Sequence, residues 1–309
     1  MKTRFLLPVL LLAATWAFAQ GSKSQPEDLS ASQQHEPPML GLHWARGFNP
    51  AFRADEASKK GAHTKSADMT YHGGIILPSV AAQAIFWGPS WTNASFVSDK
   101  ISGIDSWYPG FSGSNYAKTS DEYTGSNGQV GPTVSYGGHF IDTTAAASGS
   151  STSAILAEVC KVIPSPVSNG YYPVYVDVPR GHAGYCAYHS YGSCGSTQVQ
   201  FAFFFNLDGD AGCDPQDTSR LHSQGLAALA NVSGHELSEA RTDPASPGAW
   251  YDSHGAENGD KCVWTFGVPL VTFSNGSKWK IQGEWSNAAY TAGTSSAGCS
   301  ATLSGLLPR

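Results

Sequence analysis

The sequence predicts an α+β fold with a mixed sheet, a long helix at about residues 220–241 and an irregular, disulfide-linked C-terminal region. Three observations predict it. Apolar segments of strand and helix periodicity follow one another in the order strand, helix, strand, helix, strand, strand, helix. The 309 residues carry only 14% charge but include 34 Gly, 9 Trp, 13 Tyr and 14 Phe. That composition fits neither a coiled coil nor a charged disordered chain. Six cysteines without a Cys-x-x-Cys pair favour disulfides over zinc thiolates. The net charge of −6, with no basic run, excludes a general nucleic-acid binder.

The N-terminus reads as a secretory signal over residues 1–19. Lys2 and Arg4 precede an apolar run over residues 5–16, and Ala17-Phe18-Ala19 fits the small-x-small rule, with cleavage before Gln20. Beyond it no apolar stretch approaches the ~20 residues of a membrane span. The expected location is therefore extracellular or periplasmic, with no integral membrane segment. Residues 20–68, rich in Ser, Gln, Lys, Glu and Pro, read as a flexible lead or pro-segment. A single domain over residues 69–309 follows, with regular structure expected from Gly73 onward.

Residues 82–87 form a buried strand ended by Gly88-Pro89. Residues 93–107 have helical spacing (Phe96, Val97, Ile101, Ile104) behind a candidate Asn93 cap. Short strand-like pieces such as Val134-Ser135-Tyr136 lie in a Gly-rich stretch. Residues 153–162 predict a second helix, stopped by Pro164 and Pro166. Residues 172–178 alternate as a strand, and residues 199–205 are too continuously apolar for an exposed edge. The longest helix then carries Leu221, Ala228, Leu229 and Val232 as its buried stripe. A C-terminal subregion over residues 245–309 is built of turns and short strands, and Cys262 with Cys299 is the expected bridge there. The other four cysteines allow three pairings, among which the sequence does not choose.

The chemistry concentrates in Gly234-His235-Glu236-Leu237-Ser238-Glu239, late in the longest helix. His235 and Glu239 are four residues apart and share one face, while Glu236 sits about 100° round. This is the HExxH arrangement of zinc hydrolases with Glu in place of the second His, and it makes the expected fold zincin-like. Two ligands one turn apart need a third from elsewhere, and a neighbouring carboxylate takes a proton from water. Glu257 or Asp260 supplies the third ligand, with Asp252 and His254 as rivals, and Glu236 is the candidate general base. A His, Glu, Glu set favours a divalent cation, zinc first and calcium second, with less zinc bias than His, His, Glu. The same string also occurs as an exposed polar helix face.

Gly234-His235-Glu236-Leu237-Ser238-Glu239-Ala240, Thr242-Asp243-Pro244, Ala249-Trp250-Tyr251-Asp252 and Glu257-Asn258-Gly259-Asp260-Lys261-Cys262 together resemble the EXORDIUM/phosphate-induced protein family. The similarity extends more loosely to Ala84-Ile85-Phe86-Trp87-Gly88 and to residues 184–190. The resemblance implies an extracellular protein, without an established substrate or reaction.

Other features carry weaker chemistry. Asp208-Gly209-Asp210-Ala211-Gly212 with Asp214 has the flavour of a calcium loop but lacks its final Glu. His182 and His189 flank Cys186 as ligands, supporting groups or parts of a structural loop. His72 and His139 have no partner that the sequence names. Trp87, Trp91 and Trp107 offer either a sugar-stacking platform or core packing. The expected function is a secreted metal-dependent hydrolase, a zincin-like peptidase first of all, acting on an extracellular peptide or cell-wall substrate. The alternatives are a non-catalytic extracellular signalling or binding protein with a structural metal site, and a carbohydrate-binding module.

Overall fold

The continuous apolar runs become the parallel centre of a six-stranded mixed sheet. The computed structural model describes residues 36–48, 68–294 and 298–301; the expected signal segment and most of the expected lead lie outside the described residues. The strands β1 (Leu40–Trp44), β2 (Val80–Trp87), β3 (Val134–Asp142), β4 (Gly170–Pro179), β5 (Tyr185–Cys194) and β6 (Thr197–Asn206) lie in the order β1-β5-β6-β4-β2-β3. Strands β6, β4, β2 and β3 run parallel, β5 is antiparallel to β6, and β1 is antiparallel to β5. Strands covered on both faces need no polar alternation, and Phe201, Ala202, Phe203, Phe204 and Phe205 are all buried.

Two sequence expectations change here. The lead does not extend through residue 68: β1 joins the main sheet, and its His43 and the following Ala45 are fully buried. The stretch around Cys186 and His189 is no loop. It is β5, the first strand of a hairpin whose two-residue turn begins at Gly195, φ +61°, a backbone state glycine enters without steric cost.

Three helices cover the sheet: α1 (Lys100–Phe111), α2 (Thr152–Val162) and α3 (Gln224–Thr242). The helix expected over 93–107 splits. Asn93 caps a short helix, Ala94–Val97, by accepting from the Ser95 and Phe96 amides, then Ser98 at φ 49° interrupts it before α1. Leu156 of α2 fills the space where Gly192 of β5 would carry a side chain. His189, three residues away, therefore projects from the opposite face, toward α3.

Helix α3 begins at Gln224 because the Ser223 hydroxyl caps it, accepting from the Leu226 amide at 3.1 Å, worth ~1 kcal/mol. Every residue from Gly225 to Thr242 is buried, where a single stripe was expected. The C-terminal region covers the remaining side. The Gln282 amide donates to Asn231 Oδ1 at 2.9 Å, and Thr242 Oγ1 donates to Asn258 at 3.4 Å.

That region is irregular, as the sequence suggested, and held by short ladders and disulfides. Trp250–Tyr251 pairs with Thr70–Tyr71, and Glu284–Trp285 pairs with Cys299–Ser300. The disulfides are Cys262–Cys299, as expected, Cys160–Cys194 and Cys186–Cys213. Strand β5 is thus bridged at Cys186 and at Cys194, on either side of His189. Among the described residues no helix is long and apolar enough to cross a membrane.

Candidate metal centre

Helix α3 brings His235 and Glu239 together one turn apart, with His235 Nε2 3.1 Å from Glu239 Oε2. The loop before Cys262 delivers both sequence candidates for a third ligand, not one. Asp260 Oδ1 lies 3.9 Å from His235 Nε2, and Glu257 Oε2 lies 3.3 Å from His189 Nε2. His189 also approaches Glu239 Oε2, at 3.9 Å. Five donors therefore converge: His189, His235, Glu239, Glu257 and Asp260. They fall into two groups that share Glu239: His189 with Glu239 and Glu257, and His235 with Glu239 and Asp260.

The supporting contacts fix which atom of each side chain faces inward. The Asp260 amide donates to Glu239 Oε1 at 2.8 Å, which leaves Oε2 toward the histidines. Gln282 Nε2 sits 3.1 Å from His235 Nδ1 and donates to the Gly259 carbonyl at 2.9 Å, tying the helix ligand to the loop that carries Asp260. Such partners orient ligand rings and carboxylates in metal sites. Two glycines permit the close approach. A Cβ on Gly41 (φ +47°) would lie 1.8 Å from Glu239 Oε2 and 2.7 Å from His189 Nε2, and one on Gly259 would lie 2.7 Å from His235 Nδ1.

A divalent cation fits what these side chains lack. His235 Nε2, Glu239 Oε2, Glu257 Oε2 and Asp260 Oδ1 are buried without a hydrogen-bond partner, and each such group costs about 1–3 kcal/mol if left unsatisfied. Among the described residues no Lys or Arg pairs with these carboxylates. Arg241 turns to the Ala117 and Gly131 carbonyls, and Lys261 pairs with Asp252 at 2.8 Å. Burial, reinforced by mutual repulsion, pushes the carboxyls of Glu236 and Glu257 well above the ordinary range and Asp260 up to about 8; burial likewise raises Glu239. The same burial holds His189 down at about 3 and His235 at about 4, so both rings are neutral and able to bind a metal at neutral pH.

Glu236 is fully buried with neither oxygen partnered, and it stands outside both ligand groups while feeling the charges of Glu239 and Asp260. The helix face is therefore not an exposed polar one. A cleft of about 430 Å³, lined by Pro38, Leu40, Tyr191, Asp243, Tyr251 and Glu257, reaches the cluster at Glu257.

The remaining candidates sort plainly. Asp252 is committed to Lys261, and the His254 side chain is 67% exposed. His182 is exposed, whereas His189 is a core member of the cluster. His43, in the segment read as a lead, packs 4.7 Å from the His235 ring and bonds Gln282 and Asn231. The calcium-loop reading of residues 208–214 does not hold, because Asp208 pairs with Lys100, and Arg180 donates to both oxygens of Asp210. Trp87, Trp91 and Trp107 are buried in the core, so they form no sugar platform. His139 pairs with Asp105 at 2.9 Å, and His72 stacks on Tyr251 at 3.6 Å; neither enters the cluster. Set against protein-family models, curated proteins and solved structures, the chain matches none.

Proposed function

We propose that this chain is an extracellular metal-dependent hydrolase of the zincin-like kind, with a peptide as substrate. The observation that carries the reading is a helix of His-Glu-x-x-Glu pattern whose donor atoms converge, buried and unpartnered, with two acids and a histidine from other elements. Three disulfides suit an oxidising compartment. The resemblance to the EXORDIUM/phosphate-induced protein family supports the same location. His189, His235, Glu239, Glu257 and Asp260 would hold the cation. Zinc is the first choice and calcium the second; bound there, it supplies Lewis acidity toward a carbonyl oxygen and toward water.

The chain's own residues do the rest. Glu236, with its proton affinity raised by burial, takes a proton from the attacking water and passes it to the leaving amine. A peptide would enter by the cleft over Glu257, whose lining includes Tyr191, Tyr251 and Leu40.

One observation favours a second reading, a structural metal site in a non-catalytic extracellular protein. The backbone of Gly41 lies against Glu239 and His189, and Glu236 has no exposed surface. Glu236→Gln separates the two. The experiment incubates mixed peptides with wild type, a chelated sample and Glu236→Gln, with metal measured in each. A hydrolase shows metal-dependent cleavage that drops about 10²–10⁴-fold in a metal-replete Glu236→Gln. Metal-dependent cleavage undiminished in that variant removes Glu236 from the chemistry, and no cleavage by metal-replete wild type favours the structural site.

A further inference from the structure

We infer that the centre holds two divalent cations, bridged by Glu239. The inference deepens the hydrolase reading by using the same residues, but it rests on how the donors are divided and not on activity. Each histidine approaches Glu239 Oε2 and one acid of its own: His189 pairs with Glu257 at 3.3 Å, His235 with Asp260 at 3.9 Å. Among the described residues no crossed pair, His189 with Asp260 or His235 with Glu257, comes within ion-pair distance. The donors form two lobes on either side of one oxygen.

That oxygen is set up for sharing. Glu239 Oε1 is engaged by the Asp260 amide, while Oε2 is buried, unpartnered and in reach of both rings, at 3.1 Å and 3.9 Å. The two histidines come from different elements, His189 from β5 and His235 from α3, while one loop supplies an acid to each lobe. Two-metal sites of this kind place their ions about 3.5–4 Å apart, bridged by a shared carboxylate.

The test is stoichiometry on the whole disulfide-bonded protein. Chelated protein is titrated with Mn²⁺ alone, bound metal is counted by calorimetry and elemental analysis, and the spin state is read by electron paramagnetic resonance. Two Mn²⁺ per chain with a coupled signal are expected, since ions about 3.5–4 Å apart on one carboxylate couple strongly whereas well-separated Mn²⁺ ions do not. His189→Ala and His235→Ala should each retain one Mn²⁺ with an uncoupled signal. One Mn²⁺ per wild-type chain, or two uncoupled ions, overturns the inference, and these wild-type readouts stand even if a variant misfolds. Loss of all metal in both well-folded histidine variants also overturns it, as the mark of one five-donor site. A single bound ion with peptide cleavage would end the two-metal centre and leave the hydrolase standing. Two coupled ions without cleavage would do the reverse.

Discussion

Gly41 shows how far a single residue can decide the site. Its backbone lies where any side chain would meet Glu239 Oε2 and His189, and its φ of +47° is costly for any other residue. Gly41→Ala should lower metal affinity about tenfold or more, the range typical when ligand support is lost. Gly276→Ala is the control, because Gly276 has φ +83° with open space around it and so carries only the backbone cost of about 1–2 kcal/mol. Calorimetric metal titration of both variants checks this, and equal affinity in the two would remove Gly41 from the site. At this scale the sequence was readable where ligands lie close along the chain. His235 and Glu239 follow from helical spacing, and Glu257 and Asp260 from the acidic loop after it. His189 is 46 residues earlier, and nothing local says that β5 turns it toward α3. The Gly-Tyr-Cys-Ala-Tyr-His run drew notice through Cys186, through His189 and the nearby His182, and through the looser family similarity over residues 184–190.

Helix α3 and the loop after it each carry two ligands and β5 carries one, and the bridges between elements hold them in register. Cys262–Cys299 closes a loop of 37 residues just beyond Asp260, whereas Cys160–Cys194 closes one of 34 residues at the far end of β5. In the chain-entropy account the two loops are nearly equivalent, so removing either bridge by paired Cys→Ser changes should cost roughly 3–4 kcal/mol. Only loss of Cys262–Cys299 should also weaken metal binding strongly, because the segment from Glu257 to Cys262 supplies two acids and the amide that orients Glu239. Denaturant unfolding beside metal titration measures both effects, and an equal fall in affinity for the two pairs would break the link between this bridge and the site. Element periodicity was legible where burial is uniform. The runs in β2, β4 and β6 and the helices α2 and α3 follow from it, with shifts of a few residues set by caps such as Ser223. Strand β1 was missed although Leu40, Leu42 and Trp44 alternate with Gly41 and His43. Five residues inside a polar stretch are a weak local signal, and what makes them a strand is the free edge of β5, which no local pattern reveals.

Across the whole molecule, the buried cluster couples folding to pH in a way that reports the metal. In the chelated protein Asp260 at about 8, Asp243 at about 7 and the raised Glu236, Glu239 and Glu257 keep protons that the unfolded chain releases near pH 4. Between those limits the folded state binds more protons than the unfolded one, so stability falls as pH rises. The histidines act with the opposite sign. His189 at about 3, His235 at about 4 and the lowered His43 stay neutral while unfolded histidines protonate below about 6.5, so their effect destabilises only on the acid side. The two trends oppose each other between about pH 4 and 6.5, and above about 6.5 the carboxyls act alone. Chelated protein should therefore lose stability steadily from about pH 6.5 to 8. Metal reverses the slope, because it binds the deprotonated carboxylates and neutral imidazoles, releases protons on binding and stabilises only the folded chain. The gap in Tm between loaded and chelated protein should widen with pH across that window. Thermal unfolding at several pH values, with and without added Zn²⁺, measures it. Parallel slopes in the two states would mean that these carboxylates are not what the cation meets.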